Sequence, residues 1–325
     1  MFVKRGKLLY FKLNILFQTS RYLRNTPKQT PAEYCLELVR KNDYENFLCT
    51  LLLPPEIRAS AFAIHAFNVE VAQVKDQVHD HKIGEMRLKF WTDALSNTYK
   101  GNPPKSPVML ELYRVLQKSP LSKHYFNRLI NVRLVKLYDY SFNSLNAIEQ
   151  YAEHSSSSIY YLLLEAHGIT NINADHVASH IGKAHGIINL LRSVPYNAKK
   201  RINMLPQDIL MKHSVSTEAV LQSQSSKELK DVIHEVASHG KLHLDAAMSL
   251  KHDIGKKANL IFLPVVCLNN YLNKLRKVDF NIFDSKLQRR DNLLPLRLLW
   301  KKWSASTEVK DKSPVLQGIV GIFEP

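Results

Sequence analysis

Apolar residues recur every three or four positions along most of this chain, the spacing of one face of an α-helix. Ala59, Phe62, Ala63, Ala66, Phe67, Val71, Val74 and Val78 form one such stripe and predict a single long helix. Leu53-Pro54-Pro55 stands just before it, where proline suits a loop or a helix start. Similar spacing predicts helices over 87–99, 110–117, 125–137, 148–153 and 159–167. Residues 101–107 break the second of the six predicted so far, a serine run at 155–158 reads as a polar interruption, and Gly168 ends the last. Another strong stripe, Val177, Ile181, Ala184, Ile188 and Leu191, predicts a helix over 174–192 that Pro195 ends or kinks. Helices follow at about 217–222, 226–252 and 256–275. No long alternating pattern and no fixed-period repeat is present, so strands and solenoids lose ground. The longest apolar run, 260–268, is interrupted by Pro264 and falls short of the ~18–20 residues a spanning helix needs.

Composition agrees with a helical reading. The chain has 10 glycines in 325 residues, against an ordinary ~7%. Glycine-rich phosphate loops and turn-rich β folds both consume that residue, and neither G-x-G-x-x-G nor G-x-x-x-x-G-K-[ST] occurs. Charge is unevenly placed. Of the net +16, seven basic residues (Lys4, Arg5, Lys7, Lys12, Arg21, Arg24 and Lys28) lie in 1–32, where there is no carboxylate. Leu8, Phe11, Leu13, Ile15, Leu16 and Phe17 give that stretch an apolar side. A basic, acid-free amphipathic start has the physics of a mitochondrial presequence, so residues 1–30 are read as one, cut near 21–25. The remainder carries 38 basic against 29 acidic residues, a net +9. Cys35, Cys49 and Cys267 are too few and too scattered for a disulfide framework, which suits a reducing compartment such as the mitochondrial matrix.

Two segments carry a resemblance. "FLCTLLLPPEIRASAFAIHAFNVEVAQVKD" resembles the first catalytic helix region of the squalene/phytoene synthase family, through Leu53, Pro54, Arg58, Ala61, Ala63, Ala66 and Phe67. "GKAHGIINLLRSVPYNAKKRINMLPQDIL" resembles its second motif, through Gly182, Ala184, Asn189, Arg192, Leu205, Pro206, Asp208 and Leu210. Tyr151-Ala152 falls where the family has a further short motif. The similarity spans about 35–275 and implies an all-α, single isoprenoid-synthase-type domain with a central cavity, here 31–303, with 304–325 as a poorly ordered or variant tail.

The same resemblance predicts what is missing. Family members ionise allylic diphosphates with Mg²⁺ held by two Asp-x-x-x-Asp pairs, whose i, i+4 spacing puts both carboxylates on one helix face. Magnesium prefers hard, charged oxygen ligands. In this chain the first pair aligns with Ala72 and Asp76, and the second with Ser193 and Asn197. Gln73 stands for an adjacent aspartate, Gly186 for a glutamine and Val69 for an arginine. Glu70 precedes Ala72 by two positions, which places it on another side of the helix. One remaining carboxylate cannot bridge several Mg²⁺ ions to a diphosphate, so prenyl transfer is expected to be lost, with no catalytic residue, metal or cofactor. Arg58, Asp76, Asn189 and Arg192 remain as candidates for a vestigial anion- or lipid-binding pocket, or as packing and surface charges. The rival expectation is a live prenyltransferase with an altered metal site.

The stretches "YCLELVRKNDYENFLC", "ADHVASHIGKAHGI" and "LLPLRLLWKKW" resemble a non-catalytic mitochondrial branch of that family. The branch implies a role early in building respiratory NADH:ubiquinone oxidoreductase, in biogenesis of a membrane-arm core subunit. It further implies contact with that enzyme's subunits or assembly intermediates from the matrix side of the inner membrane.

Other constellations in the chain have plainer accounts. His176-x-x-x-His180 and His239-x-x-x-His243 each put two imidazoles on one helix face and could hold zinc, but they read more simply as surface histidines. His234-Glu235 opens like a zincin motif, yet Ser238 stands where the second histidine would be. Lys199-Lys200-Arg201 and Lys286, Arg289 and Arg290 lack any recognised nucleic-acid motif, so no nucleic-acid partner is expected. Leu293 to Leu299 with Trp300, Lys301, Lys302 and Trp303 form an amphipathic segment suited either to a lipid surface or to a last core helix.

Overall fold

A computed structural model describes residues 29–78, 80–250 and 254–307. The presequence reading falls almost wholly outside these residues, as does the tail beyond 307. Among the described residues the chain is all-α: it has no strand, only an isolated parallel bridge between Phe142 and Pro206. The helices are α1 (Pro31–Asn42), α2 (Tyr44–Leu51), α3 (Pro55–Gln77), α4 (His81–Tyr99), α5 (Pro107–Leu116), α6 (Lys123–Tyr138) and α7 (Leu145–Ala152). They continue as α8 (Ser158–Ala166), α9 (Ile172–Lys199), α10 (Gln207–Lys212), α11 (Thr217–Leu221) and α12 (Lys227–Ser249). The last three are α13 (Lys256–Ile261), α14 (Pro264–Lys277) and α15 (Leu294–Thr307).

Local chemistry sets several boundaries. Thr30 and Glu33 close a reciprocal capping box at the start of α1, and Pro55 opens α3 at a position that needs no N–H donor. Asn171 caps α9 by accepting from two backbone amides. Helices α3 and α9 run through the middle of the molecule. In α3, Ala61, Ala63, Ile64, Ala66 and Phe67 are all buried, with the Phe67 ring edge-on to Phe126 at 5.0 Å and to Trp91 at 5.9 Å. The apolar interior has two main parts. One is gathered around α1, α3 to α6, α8 and the start of α9; the other joins the later part of α9 to α10, α12 and α14. A cavity lies where α3 and α9 face each other across these two parts.

Three features differ from the sequence pattern. The serine run at 155–158 is not a break: α7 passes through a π turn (Glu153–Ser157) directly into α8. The hydroxyls of Ser155 and Ser158 donate to the carbonyls of Tyr151 and His154, four residues back, so the serines satisfy themselves within the helix. Pro195 does not end α9, which continues to Lys199 with Ser193 donating to the Leu190 carbonyl and Asn197 to that of Ser193. The helix expected over 256–275 is two helices, since the chain turns at Phe262 and Leu263 and Pro264 starts α14.

Candidate functional site

The cavity between α3 and α9 has a volume of about 390 Å³. Its lining includes all four positions that the family resemblance assigned to metal-binding aspartates: Ala72, Asp76, Ser193 and Asn197. Asn189 also lines it. The other two candidates lie elsewhere. Arg192 opens into a neighbouring cleft, donating to Glu45 at 2.8 Å and stacking on the Tyr271 ring at 4.7 Å. Arg58 donates to the Leu53 carbonyl at 2.7 Å, which fixes the turn before α3. Glu70 accepts from the Tyr34 hydroxyl at 2.7 Å and is not among the cavity residues. Asp208 caps α7 by accepting from the Leu145 amide.

The donor set does not fit diphosphate-bound Mg²⁺. Asp76 is half-exposed and paired with Lys200 at 3.0 Å. Ser193 and Asn197 offer only neutral oxygens while donating to backbone carbonyls of α9, and Ala72 offers no ligand. The charges added nearby are positive. Lys75, one turn along α3, has its Nζ 3.6 Å over the Tyr140 ring, and burial lowers its pKa to about 8. Arg133 of α6 lines the same wall, donating to Leu129 and Asn68, and burial lowers its pKa as well. Asp76 is paired with Lys200, and Asp43, the other carboxylate in the lining, accepts from Asn46; with Lys75 and Arg133 on the wall, the cavity suits a polar-headed guest better than a metal cluster.

Deeper in, the cavity is lined by a polar group that the sequence pattern did not single out. The Tyr160 hydroxyl and His185 Nδ1 share a hydrogen bond of 2.8 Å. Burial lowers the His185 pKa to about 4, with Asp43 opposing and Arg192 and His65 assisting. Burial also lowers His65, and its Nδ1 has no hydrogen-bond partner among the described residues. Both imidazoles are therefore neutral near pH 7. His65 had a signal in the sequence: it is the polar residue inside the otherwise apolar run Ala61 to Phe67. The fold also brings two of the scattered thiols together: the hydrogen bond between Cys49 and Cys267, then burial, raises the Cys49 pKa well above normal. Such a thiol is a poor nucleophile at neutral pH.

Helices around a central cavity, with the Tyr151, Ser193 and Asn197 positions on its wall, define the class of protein. Residues 39–303 match the squalene/phytoene synthase profile, and the chain belongs to that family. It is similar, at 46% identity over 270 residues, to the Bos taurus protein named NADH dehydrogenase (ubiquinone) complex I, assembly factor 6, covering 83% of this chain and 81% of that one. A Drosophila melanogaster homolog of the same name is 40% identical over 277 residues, covering 83% of each. The phytoene synthase of Rhodobacter capsulatus is more distant, at 20% over 225 residues, 69% of this chain and 66% of that one. Among solved structures, a dehydrosqualene synthase superposes with a TM-score of 0.76 at 18% identity, covering 86% of this chain and 97% of its own, which shows the shared fold.

Proposed function

We propose that this protein is an assembly factor for mitochondrial respiratory complex I that works by binding rather than by prenyl transfer. The observation that carries this is the 40–46% identity, over 83% of the chain, to proteins bearing that name. The cavity supports the non-catalytic half of the reading. Three of the four positions at which family enzymes hold metal carry Ala72, Ser193 and Asn197, and the fourth, Asp76, is tied to Lys200. Complex I subunits or assembly intermediates are the partners, at an early stage, in biogenesis of a membrane-arm core subunit. The basic 1–30 segment supplies the address, and the protein works on the matrix side, peripheral to the inner membrane. Among the described residues no helix is long and apolar enough to cross a membrane. The exposed leucines and tryptophans of α15 suit contact with a lipid surface.

Depleting the protein in its own cells and resolving respiratory complexes on native gels tests the role. Complex I should fall while other complexes persist, and re-expression should restore it. Intact complex I after complete loss overturns the proposal. The same material decides the chemistry: purified protein with Mg²⁺ and farnesyl or geranylgeranyl diphosphate should release no more diphosphate than its Asp76→Ala variant. Release well above that control would favour the live prenyltransferase.

A further inference from the structure

Away from the cavity, three helices bring together a group of ligand-type side chains that the function above does not use. Glu149 of α7 faces His239 and His243, which are one turn apart on α12. One ligand atom from each lies within 4.8 Å of the others, and no second such trio occurs among the described residues. His239 Nε2 contacts Glu149 Oε1, and His243 Nε2 is 3.4 Å from Glu149 Oε2. From α9, His180 approaches the far side of the His243 ring, with its Nδ1 3.0 Å from His243 Nδ1. His176 and His234, which the sequence spacing also offered, are exposed and take no part in the group.

A short contact between two ring nitrogens needs one proton on one of them. With His243 donating from Nδ1 to His180, its Nε2 lone pair points at Glu149 and His239. That is the outer arrangement of a metal-bound histidine, whose second nitrogen donates to a fixed acceptor. Ligand atoms about 2.0–2.2 Å from a tetrahedral ion lie about 3.4 Å apart, the separation already present between His243 and Glu149. The His239 and Glu149 side chains are partly exposed, so small rotations can open their closer contact. The groups facing the site are Glu149, His239, His243 and His180, with Lys183 as the opposing positive charge and Glu153 as a second carboxylate beyond His180.

We propose that Glu149, His239 and His243 form a divalent transition-metal site, with Zn²⁺ as occupant, a water in the fourth position, and His180 as the residue that positions His243. Two imidazoles and one carboxylate select zinc over Mg²⁺ or Ca²⁺, which favour all-oxygen shells. The ion would tie α7, through Glu149, to α12, with α9 held in the second shell.

The test uses the full chain without a polyhistidine tag, stripped with a chelator and titrated with ZnCl₂ by calorimetry. CoCl₂ is titrated in parallel, so that the visible bands of low-coordinate Co²⁺ report geometry. The wild-type protein should take up one ion per chain and show the Co²⁺ bands. His243→Ala and Glu149→Gln should lose both, while His176→Ala and His234→Ala keep both. His180→Ala should weaken binding ~10–100-fold, and His180→Asn, whose Oδ1 can accept the His243 proton, should restore most of it. No uptake by the folded wild-type protein overturns the proposal. Uptake that survives Glu149→Gln and His243→Ala does so too. The wild-type Co²⁺ spectrum decides the matter even if a variant fails to fold.

Discussion

At the scale of single residues, the deep imidazoles of His65 and His185 are neutral, and the wall of Lys75 and Arg133 is positive. His185 has the clearest consequence. Burial, opposed by Asp43 and aided by Arg192 and His65, lowers its pKa from 6.5 to about 4 in the folded protein. The unfolded chain therefore binds a proton that the folded one refuses between about pH 6.5 and pH 4, so stability falls as pH drops through that window. The full shift corresponds to roughly 3 kcal/mol, reduced to the extent that cavity water solvates the charged ring. Urea unfolding at pH 7.5 and at pH 5 should show the loss, and His185→Gln should lose less between the two pH values than the wild-type protein. Equal losses in both would remove His185 as the cause. Arg192 shows the reverse case: of the two roles open to it, pocket residue or packing charge, it takes the second, locking α9 to Glu45 of α2 and Tyr271 of α14.

At the scale of elements, the close approach of α9 to the α7–π–α8 segment rests on Gly182. A Cβ placed there would sit 2.2 Å from Ser157 Oγ and 2.4 Å from Ser157 Cα, so backbone would have to move. In an exposed helix Gly→Ala is worth about 1 kcal/mol of stability. In this position overpacking wins, and Gly182→Ala should destabilise by about 1–3 kcal/mol, read as a lower urea midpoint at unchanged slope. A raised midpoint would show that Ser157 can yield. The same junction marks the limit of sequence reading. The stripe Ala59 to Val78 makes α3 legible because its apolar residues recur at the helical period, although burial wraps the whole helix over 60–67. The π turn was not legible, since serines suit loops and their back-bonds to Tyr151 and His154 depend on a helix already formed. Pro195 reads as an end or a kink, and α9 carries on past it beneath packed neighbours that outweigh one missing backbone bond. Of the candidate site, Ala72, Asp76, Ser193 and Asn197 were found through the family motifs. Lys75, Arg133 and His185 were not, because nothing in their local spacing marks them. The cluster of histidines needed Glu149, ninety residues before His239 in the chain, and no periodicity spans that gap.

At the scale of the whole molecule, the surface is not uniform. Helix α15 buries Leu294 and Leu298 against Leu263 and Cys267, but leaves Leu296 at 64%, Leu299 at 50%, Trp300 at 67% and Trp303 at 60% exposure. These four fall at i, i+3, i+4 and i+7, so they form one outward stripe. The Trp300 and Trp303 rings lie 5.5 Å apart, and Lys301 is on the same helix, while Lys302 donates to the Leu52 carbonyl and anchors the helix to α2. A monomer gains nothing in water from such a face, whereas a bilayer interface takes up tryptophan rings and leucines and holds nearby lysines against anionic headgroups. Residues 33–325 alone carry net +9, which adds long-range attraction to the same surface. Each buried tryptophan contributes on the order of 1–2 kcal/mol, so Trp300→Ser combined with Trp303→Ser should reduce partitioning onto phosphatidylcholine vesicles containing cardiolipin by at least ~10-fold. Sedimentation of the wild-type protein with those vesicles, and far less with pure phosphatidylcholine, is the expected result. Since Leu294 and Leu298 carry the packing, the double variant should keep its melting temperature. Equal sedimentation of variant and wild type would leave attraction by net charge alone and remove α15 as the contact.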